Sequence, residues 1–241
     1  NTMDSTSNVR GVPPFIVATG GTITTVCTNF KVHTFTGPGT FTVTNAGAPG
    51  GSDTVSYMVV AGGGGSGYYY GGAGGAGGFR ESKAATDTYT ASPLNATSGP
   101  TYNLPVSVQA YPVTIGAGGP VISPQGPTPG RAPTGAPSTF STITSTGGGG
   151  GSGGAGSGYD AGPGGSGGGA GGQSAGCGGT GNTPPVSPPQ GNAGEPTSGS
   201  RGGSGGGATA AGGPASGGTN YGGAGATTSI NGTPTTFSGG G

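Results

Sequence analysis

From Gly147 to Gly241 about four residues in ten are glycine, gathered into runs that include Gly147 to Gly158, Gly162 to Gly172, Gly202 to Gly207 and Gly217 to Gly225. Fixing a backbone residue costs roughly 1–2 kcal/mol, and glycine stands at the upper end because it has the most freedom to lose. A Gly/Ser-rich stretch is by default a flexible coil. If such runs are ordered, something along their whole length must offset that cost. Glycine has no side chain to bury, so the packing material has to be backbone against backbone, with each N–H and C=O paired to a neighbouring run.

Composition closes off the common alternatives. The 241 residues hold 66 Gly and 22 Pro, no Trp, 28% hydrophobic and 5% charged residues. An apolar core covering the whole chain is therefore excluded. Compositional disorder couples low hydrophobicity to high net charge, but here six basic and six acidic groups cancel. After Arg131 only Asp160, Glu195 and Arg201 carry charge. Without a basic surplus, nucleic acid is not an expected partner. No apolar run approaches the roughly 20 residues of a membrane span, and no basic leader precedes an apolar stretch, so no membrane insertion is expected. Opening on Asn1 rather than Met predicts a processed product or a piece of a longer chain. Cys27 and Cys177 cannot form a metal cluster alone; one disulfide or two separately buried thiols fit, with unpaired thiols the preferred reading.

The pattern divides the chain into three zones. Residues 1–62 read as a small β region, the connection to whatever precedes it. Phe15-Ile16-Val17 is a short apolar run, and Thr22 to Cys27 is rich in β-branched residues. Phe30 to Phe35 and the alternating Thr40 to Thr44 flank the breaker Gly37-Pro38-Gly39, a hairpin signal. Val55 to Val60 reads as a strand entering the interior. Residues 63–146 mix strands, glycine runs and loops. In Gly71 to Phe79 a three-residue period aligns Ala73, Ala76 and Phe79 on one edge of a threefold extended helix, which rises about 3.1 Å per residue. Phe79 to Leu104 reads as an inserted loop, Pro105 to Ile115 and Ser138 to Thr146 as strands, and Gly116 to Pro137 as a Gly/Pro loop. Residues 147–241 are the glycine-rich zone, with Asn182 to Gly191 as its bulkiest interruption. The fold class expected is mainly β and irregular: an N-terminal β region followed by a bundle of polyglycine-II-type helices joined by loops, with little or no α-helix. Alanine and serine are expected only at the rim of that bundle.

No catalytic set stands out. His33 is the only histidine, and it sits in an alternating strand, where a surface or half-buried structural role is expected. Asp53, Glu81, Asp87 and Asp160 are scattered, and no pair suggests acid–base hydrolysis. Gly62 to Gly67 lacks the Gly-Lys-Ser/Thr ending that holds a nucleotide phosphate. No enzyme activity, cofactor or metal site is expected. Asn95-Ala96-Thr97 and Asn231-Gly232-Thr233 match glycosylation sequons, relevant only in a eukaryotic secretory route. Tyrosine is more informative. Tyr68-Tyr69-Tyr70 interrupts a glycine run, and Tyr89, Tyr159 and Tyr221 lie in or beside loops, where a ring with a hydroxyl makes a contact surface at low entropy cost. These six are the candidate contact residues for a binding partner, with outer-seam packing as the alternative role.

The stretches Pro14 to Thr25, His33 to Val43 and Tyr57 to Gly65 resemble the glycine-rich distal domain of tailed-bacteriophage tail-fibre proteins, especially those of marine phages. The likeness continues through Gly77 to Arg80, Tyr111 to Gly119, Ser138 to Ile143 and Asn182 to Gly191, and so covers most of the chain. It implies a structural virion protein at a fibre tip that binds a bacterial surface receptor, either a glycan or an outer-membrane protein, and works outside the cell. It further implies neighbouring fibre subunits, commonly a homotrimer, and host contact through Ser66 to Tyr70, Phe79 to Leu104, Pro120 to Pro137 and Ser157 to Pro163. Two other roles compete with an adhesin: a purely structural fibre segment, and an extracellular ice-binding or matrix protein. The register slip between Ser166, Ala170 and Gln173 disfavours the flat face that ice binding needs.

Overall fold

Alternating apolar and β-branched residues form short strands wherever one face can be buried. The computed structural model describes residues 15–28, 30–47, 52–121, 130–154, 159–173, 176–197, 200–213 and 220–241. Its strands are β1 (Ile16–Thr19), β2 (Thr22–Val26), β3 (Phe30–Thr34), β4 (Gly39–Ala46), β5 (Thr54–Val55), β6 (Tyr57–Val60), β7 (Phe79–Ser82), β8 (Leu104–Pro105), β9 (Ala110–Thr114), β10 (Ser138–Phe140), β11 (Ile143–Ser145), β12 (Ala226–Thr228) and β13 (Thr235–Phe237). The described residues contain no helix, so the chain is mainly β, as expected.

Five strands make an antiparallel sheet in the order β1-β4-β9-β10-β11. Along β4, Phe41 and Val43 turn inward and are buried, and they meet Val106, Tyr111 and Val113 in one apolar cluster with Phe35 and Phe140 packed against it. The ring of His33 stands edge-on to Phe41 at 5.0 Å, and its Nδ1 lies 2.8 Å from the Gly20 carbonyl oxygen. Histidine is thus a half-buried strand residue. A second cluster joins Tyr57, Val59, Leu104 and Ile143, and a third joins Phe79, Ala208 and Ala226.

The hairpin expected across Gly37-Pro38-Gly39 does not form. Instead β3 pairs with β2, from Thr22 opposite Thr34 to Val26 opposite Phe30, and β4 pairs with β1 and β9. The Phe35 ring packs beside Gly20, Gly21 and Gly39 between the two strands, and β2 rather than β4 satisfies the β3 backbone.

Between the strands, the glycine runs pair through their backbones with a step of three residues. Gly148 N donates to Gly62 O at 2.9 Å, and Gly151 N to Gly65 O at 2.9 Å. On a second neighbour, Gly149 N reaches Ser166 O at 2.8 Å and Ser152 N reaches Gly169 O at 3.1 Å. The carbonyls of the same run accept from Gly135 and Ala132, from Gly75 and Gly72, and from Gly165 and Gly162. Each direction around the run repeats every third residue, so several neighbours surround it at once. Approach is correspondingly close. A Cβ on Gly147 would lie 1.8 Å from Gly135 O, and one on Gly149 would lie 1.9 Å from Gly162 O. In the run from Gly71 to Phe79, Cβ atoms on Gly72, Gly74 and Gly77 would meet a carbonyl oxygen at 1.9, 2.0 and 1.9 Å, and ones on Gly75 and Gly78 would meet Ser166 O and Gln190 Oε1 at 2.4 and 2.5 Å.

Three expectations are corrected. Alanine and serine are not confined to a rim, because Ser152, Ser166 and Ala170 are fully buried. A buried hydroxyl is tolerated where it replaces a backbone partner, as when Ser152 Oγ accepts from Gly171 N at 2.8 Å. The described parts of Gly116 to Pro137 are not a loop: Gly119 N donates to Gly63 O and Ala136 N to Ala117 O, both at 2.8 Å, so these residues join the runs. Cys27 and Cys177 are both free, as preferred, but exposed rather than buried.

Candidate functional site

Gly67 N donates to Gly72 O at 2.9 Å and closes a tight reversal between two glycine runs. Its tip is Tyr68, Tyr69 and Tyr70, which remain 42%, 55% and 51% exposed. Tyr69 and Tyr70 have φ of 49° and 53°, a left-handed conformation that costs an L side chain roughly 1–2 kcal/mol. Glycine would adopt it without that cost, and glycine flanks the turn on both sides. The turn is held from below, where Gly154 N donates to Tyr68 O at 3.2 Å and Tyr69 O at 3.0 Å, and Gly172 N to Tyr70 O at 2.7 Å. Ring centroids of Tyr69 and Tyr70 stand 4.9 Å apart, edge to face, with Tyr68 6.0 Å from Tyr69. Three rings thus form one fixed aromatic tip.

Two more of the predicted tyrosines lie at this end of the runs. Tyr159 precedes Asp160, whose carbonyl oxygen accepts from Arg131 Nε at 3.0 Å and whose Oδ1 accepts from Cys177 N at 2.7 Å. Arg131 in turn bridges to Ser152, whose carbonyl accepts from Gly72 at the foot of the tyrosine turn. Tyr221, 65% exposed, follows Asn220, whose Nδ2 donates to Gly202 O. Gly202 packs directly on the Gly71 carbonyl. Of the segments expected to touch a host, residues 122–129 and 157–158 lie outside the described residues, as do 217–219 of the last glycine run.

Tyr89 is elsewhere. It is half-buried in the loop after β7, with the Lys83 ammonium 5.8 Å over its ring and Lys83 Nζ donating to its carbonyl at 3.2 Å. Burial first, then the nearby Glu81 carboxylate, push its hydroxyl well above the ordinary tyrosine value. Sequence reasoning weighed Glu81 only as one of four scattered acids and missed its structural role; it is 1% exposed. Its Oε1 accepts from Thr228 Oγ1 at 2.5 Å and its Oε2 from Ser92 N at 2.8 Å. The carboxylate ties β7 to the following loop and to β12. Its only signal in the sequence was an acid within an otherwise charge-poor chain. Among the described residues no group of three or more His, Cys, Asp or Glu side chains is placed to hold a metal ion.

No curated protein and no solved structure matches this chain. A family model described as a glycine-rich domain matches residues 35–241, the span that holds the paired glycine runs, the tyrosine turn and most of the sheet. The chain therefore belongs to the glycine-rich domain family.

Proposed function

We propose that this chain is the receptor-binding tip of a bacteriophage tail fibre or similar virion appendage, in which a polyglycine-II-type bundle carries exposed tyrosine turns to a bacterial surface. The observation that carries the reading is the left-handed backbone at Tyr69 and Tyr70. Strain of this kind is retained where the side chain has a task, since binding sites are where unfavourable backbone collects. Here two large exposed rings occupy positions that glycine fills at no cost, in a chain that uses glycine everywhere around them. The bundle reading is supported by the three-residue step of the hydrogen bonds and by the Cβ positions that only glycine satisfies. Weak Cα–H to O contacts, about 0.5–1 kcal/mol each, add to those bonds in so dense a backbone packing. Other fibre subunits, as a homotrimer, complete the assembly proposed.

The test uses labelled full-length chain on a panel of bacterial cells, beside the double variant Tyr69→Gly, Tyr70→Gly. Saturable binding that the variant loses supports the adhesin, and competition with phage adsorption would extend it. Equal binding by both proteins, or none by either, removes the reading and leaves a structural segment. The bundle is checked separately by amide exchange: unprotected amides across Gly147 to Gly154 would rule it out.

A further inference from the structure

We infer that a cavity beside the last glycine run is a vacant place among the runs, one that captures an extended, glycine-centred segment of another chain; this goes beyond the receptor-binding reading and does not depend on it. Residues Phe237 to Gly241 lie in three rows of bonds, each with a step of three residues. In the first row Ala208 N donates to Ser238 O and Gly205 N to Gly241 O, both at 2.9 Å. In the second the Ser238 hydroxyl donates to Gly77 O, and Gly241 N to Gly74 O at 3.4 Å. In the third Phe237 pairs with Ala226, and Gly240 N donates to Gly223 O at 2.8 Å. At Gly241 the run stops, while all three neighbours go on. The next groups in the three rows are Gly202 N, Gly71 O and Asn220 O. Among the described residues none of these three groups is hydrogen-bonded. All three residues line one cavity of about 250 Å³, together with Gly241.

Backbone is what this cavity has to offer. Of its lining side chains, the Ser204 hydroxyl is already engaged by Glu195 and the Gly213 carbonyl, the Asn220 Nδ2 by Gly202 O, and Ala73 brings only a methyl group. Two acceptors and one donor left over in register ask for two N–H groups and one C=O spaced as in an extended chain, which is a peptide. The run it would prolong sets the fit. A Cβ on Gly240 would lie 2.1 Å from Gly205 O, whereas one on Gly241 meets nothing closer than Ala73 Cβ at 3.4 Å and one on Gly239 nothing closer than Gly223 O at 3.9 Å. Carried three residues on, this order makes the middle place of the cavity glycine-only and leaves room for a small side chain on either side. Each described glycine run already occupies its own place, so the segment comes from a second chain. Ser66 and Gly241 on the lining are exposed and leave it a way in. Capture of this kind is the counterpart, for paired runs, of adding a strand to a sheet edge.

The test titrates acetyl-Ser-Gly-Ser-amide and acetyl-Ser-Val-Ser-amide into isotope-labelled full chain and follows the amide signal of Gly202. Three bonds with little apolar contact lead to roughly millimolar affinity. The expected result is saturable binding of the glycine peptide that shifts the Gly202 signal and slows its exchange, with the valine peptide about tenfold or more weaker, the effect of forcing a side chain into filled space. A second protein, the same chain prolonged by Ser-Gly-Ser after Gly241, fills the cavity from within and is expected to bind no peptide. Binding that is indifferent to valine, leaves Gly202 unmoved or persists in the prolonged chain overturns the site. Absence of glycine-peptide binding overturns the capture of another chain, even where the prolonged chain protects its own Gly202 amide.

Discussion

Under the proposed function, Tyr69 and Tyr70 trade stability against binding. Replacing both with glycine removes roughly 1–2 kcal/mol of left-handed strain at each position and returns about 0.5–1 kcal/mol of added chain entropy at each. The double variant is expected to be more stable by about 1 kcal/mol in chemical denaturation, even as it loses adhesion. A clear loss of stability would mean that the rings hold the turn, and the strain would then say nothing about binding. Tyr89 shows the opposite case, a tyrosine used for packing. Its folded-state pKa is raised above the ordinary 10.0. As pH climbs past that value, the unfolded chain releases the proton while the folded chain still holds it. The contribution of Tyr89 is therefore complete below the ordinary value and is lost as pH rises beyond it. Stability measured against pH should fall at alkaline pH, and Tyr89→Phe should flatten the fall. Tyr57, also raised by burial, should keep it from vanishing.

At the level of elements, the runs discriminate sharply between glycines. A Cβ at Gly149 would lie 1.9 Å from Gly162 O, whereas one at Gly118 meets nothing closer than Gly63 O at 3.7 Å. Gly149→Ala should cost about 3 kcal/mol or prevent folding, and Gly118→Ala should be neutral or stabilising by up to about 1 kcal/mol through the unfolded state. Thermal melts of the two variants check this; equal melting temperatures would refute the contact. Glu81→Ala leaves the Thr228 hydroxyl and the Ser92 amide without their acceptor, at a cost of about 1–3 kcal/mol. Faster amide exchange in the β12–β13 hairpin should report it. The strands were legible because alternation such as Phe41 and Val43 in β4 is local. Their partners were not, since nothing in Phe30 to Thr34 distinguishes pairing with β2 from pairing with β4. The spacing of Ala73, Ala76 and Phe79 was equally local, a repeat of three set among glycines that have no room for a side chain. The support of the tyrosine turn left no such mark, because Gly154 and Gly172 reach it from far along the chain, and one glycine run reads like another.

With 66 glycines and 28% hydrophobic residues in 241, folding is expected to hide an unusually large share of peptide groups relative to apolar side chains. Exposing polar surface lowers the heat capacity of unfolding while apolar surface raises it, so calorimetry should give less than the usual roughly 12–15 cal/mol/K per residue. A flat stability curve follows, with tolerance of cold. A value in the usual range would show that the three apolar clusters, not the runs, dominate. The repeating bonds have another consequence. Sliding one run past its neighbour by three residues sets a new N–H before each C=O, so hydrogen bonding alone hardly distinguishes the correct alignment from a shifted one. What distinguishes them is a few side chains that fit one place only. Gln190 is 1% exposed, takes a bond from Thr146 N at 2.8 Å and gives one to Pro184 O at 3.0 Å. Glu195 receives Ser204 Oγ at 2.9 Å, and Phe79 fills its own cluster. These residues act as index marks on an otherwise uniform ruler, so the energy gap against misthreaded forms rests on a handful of groups.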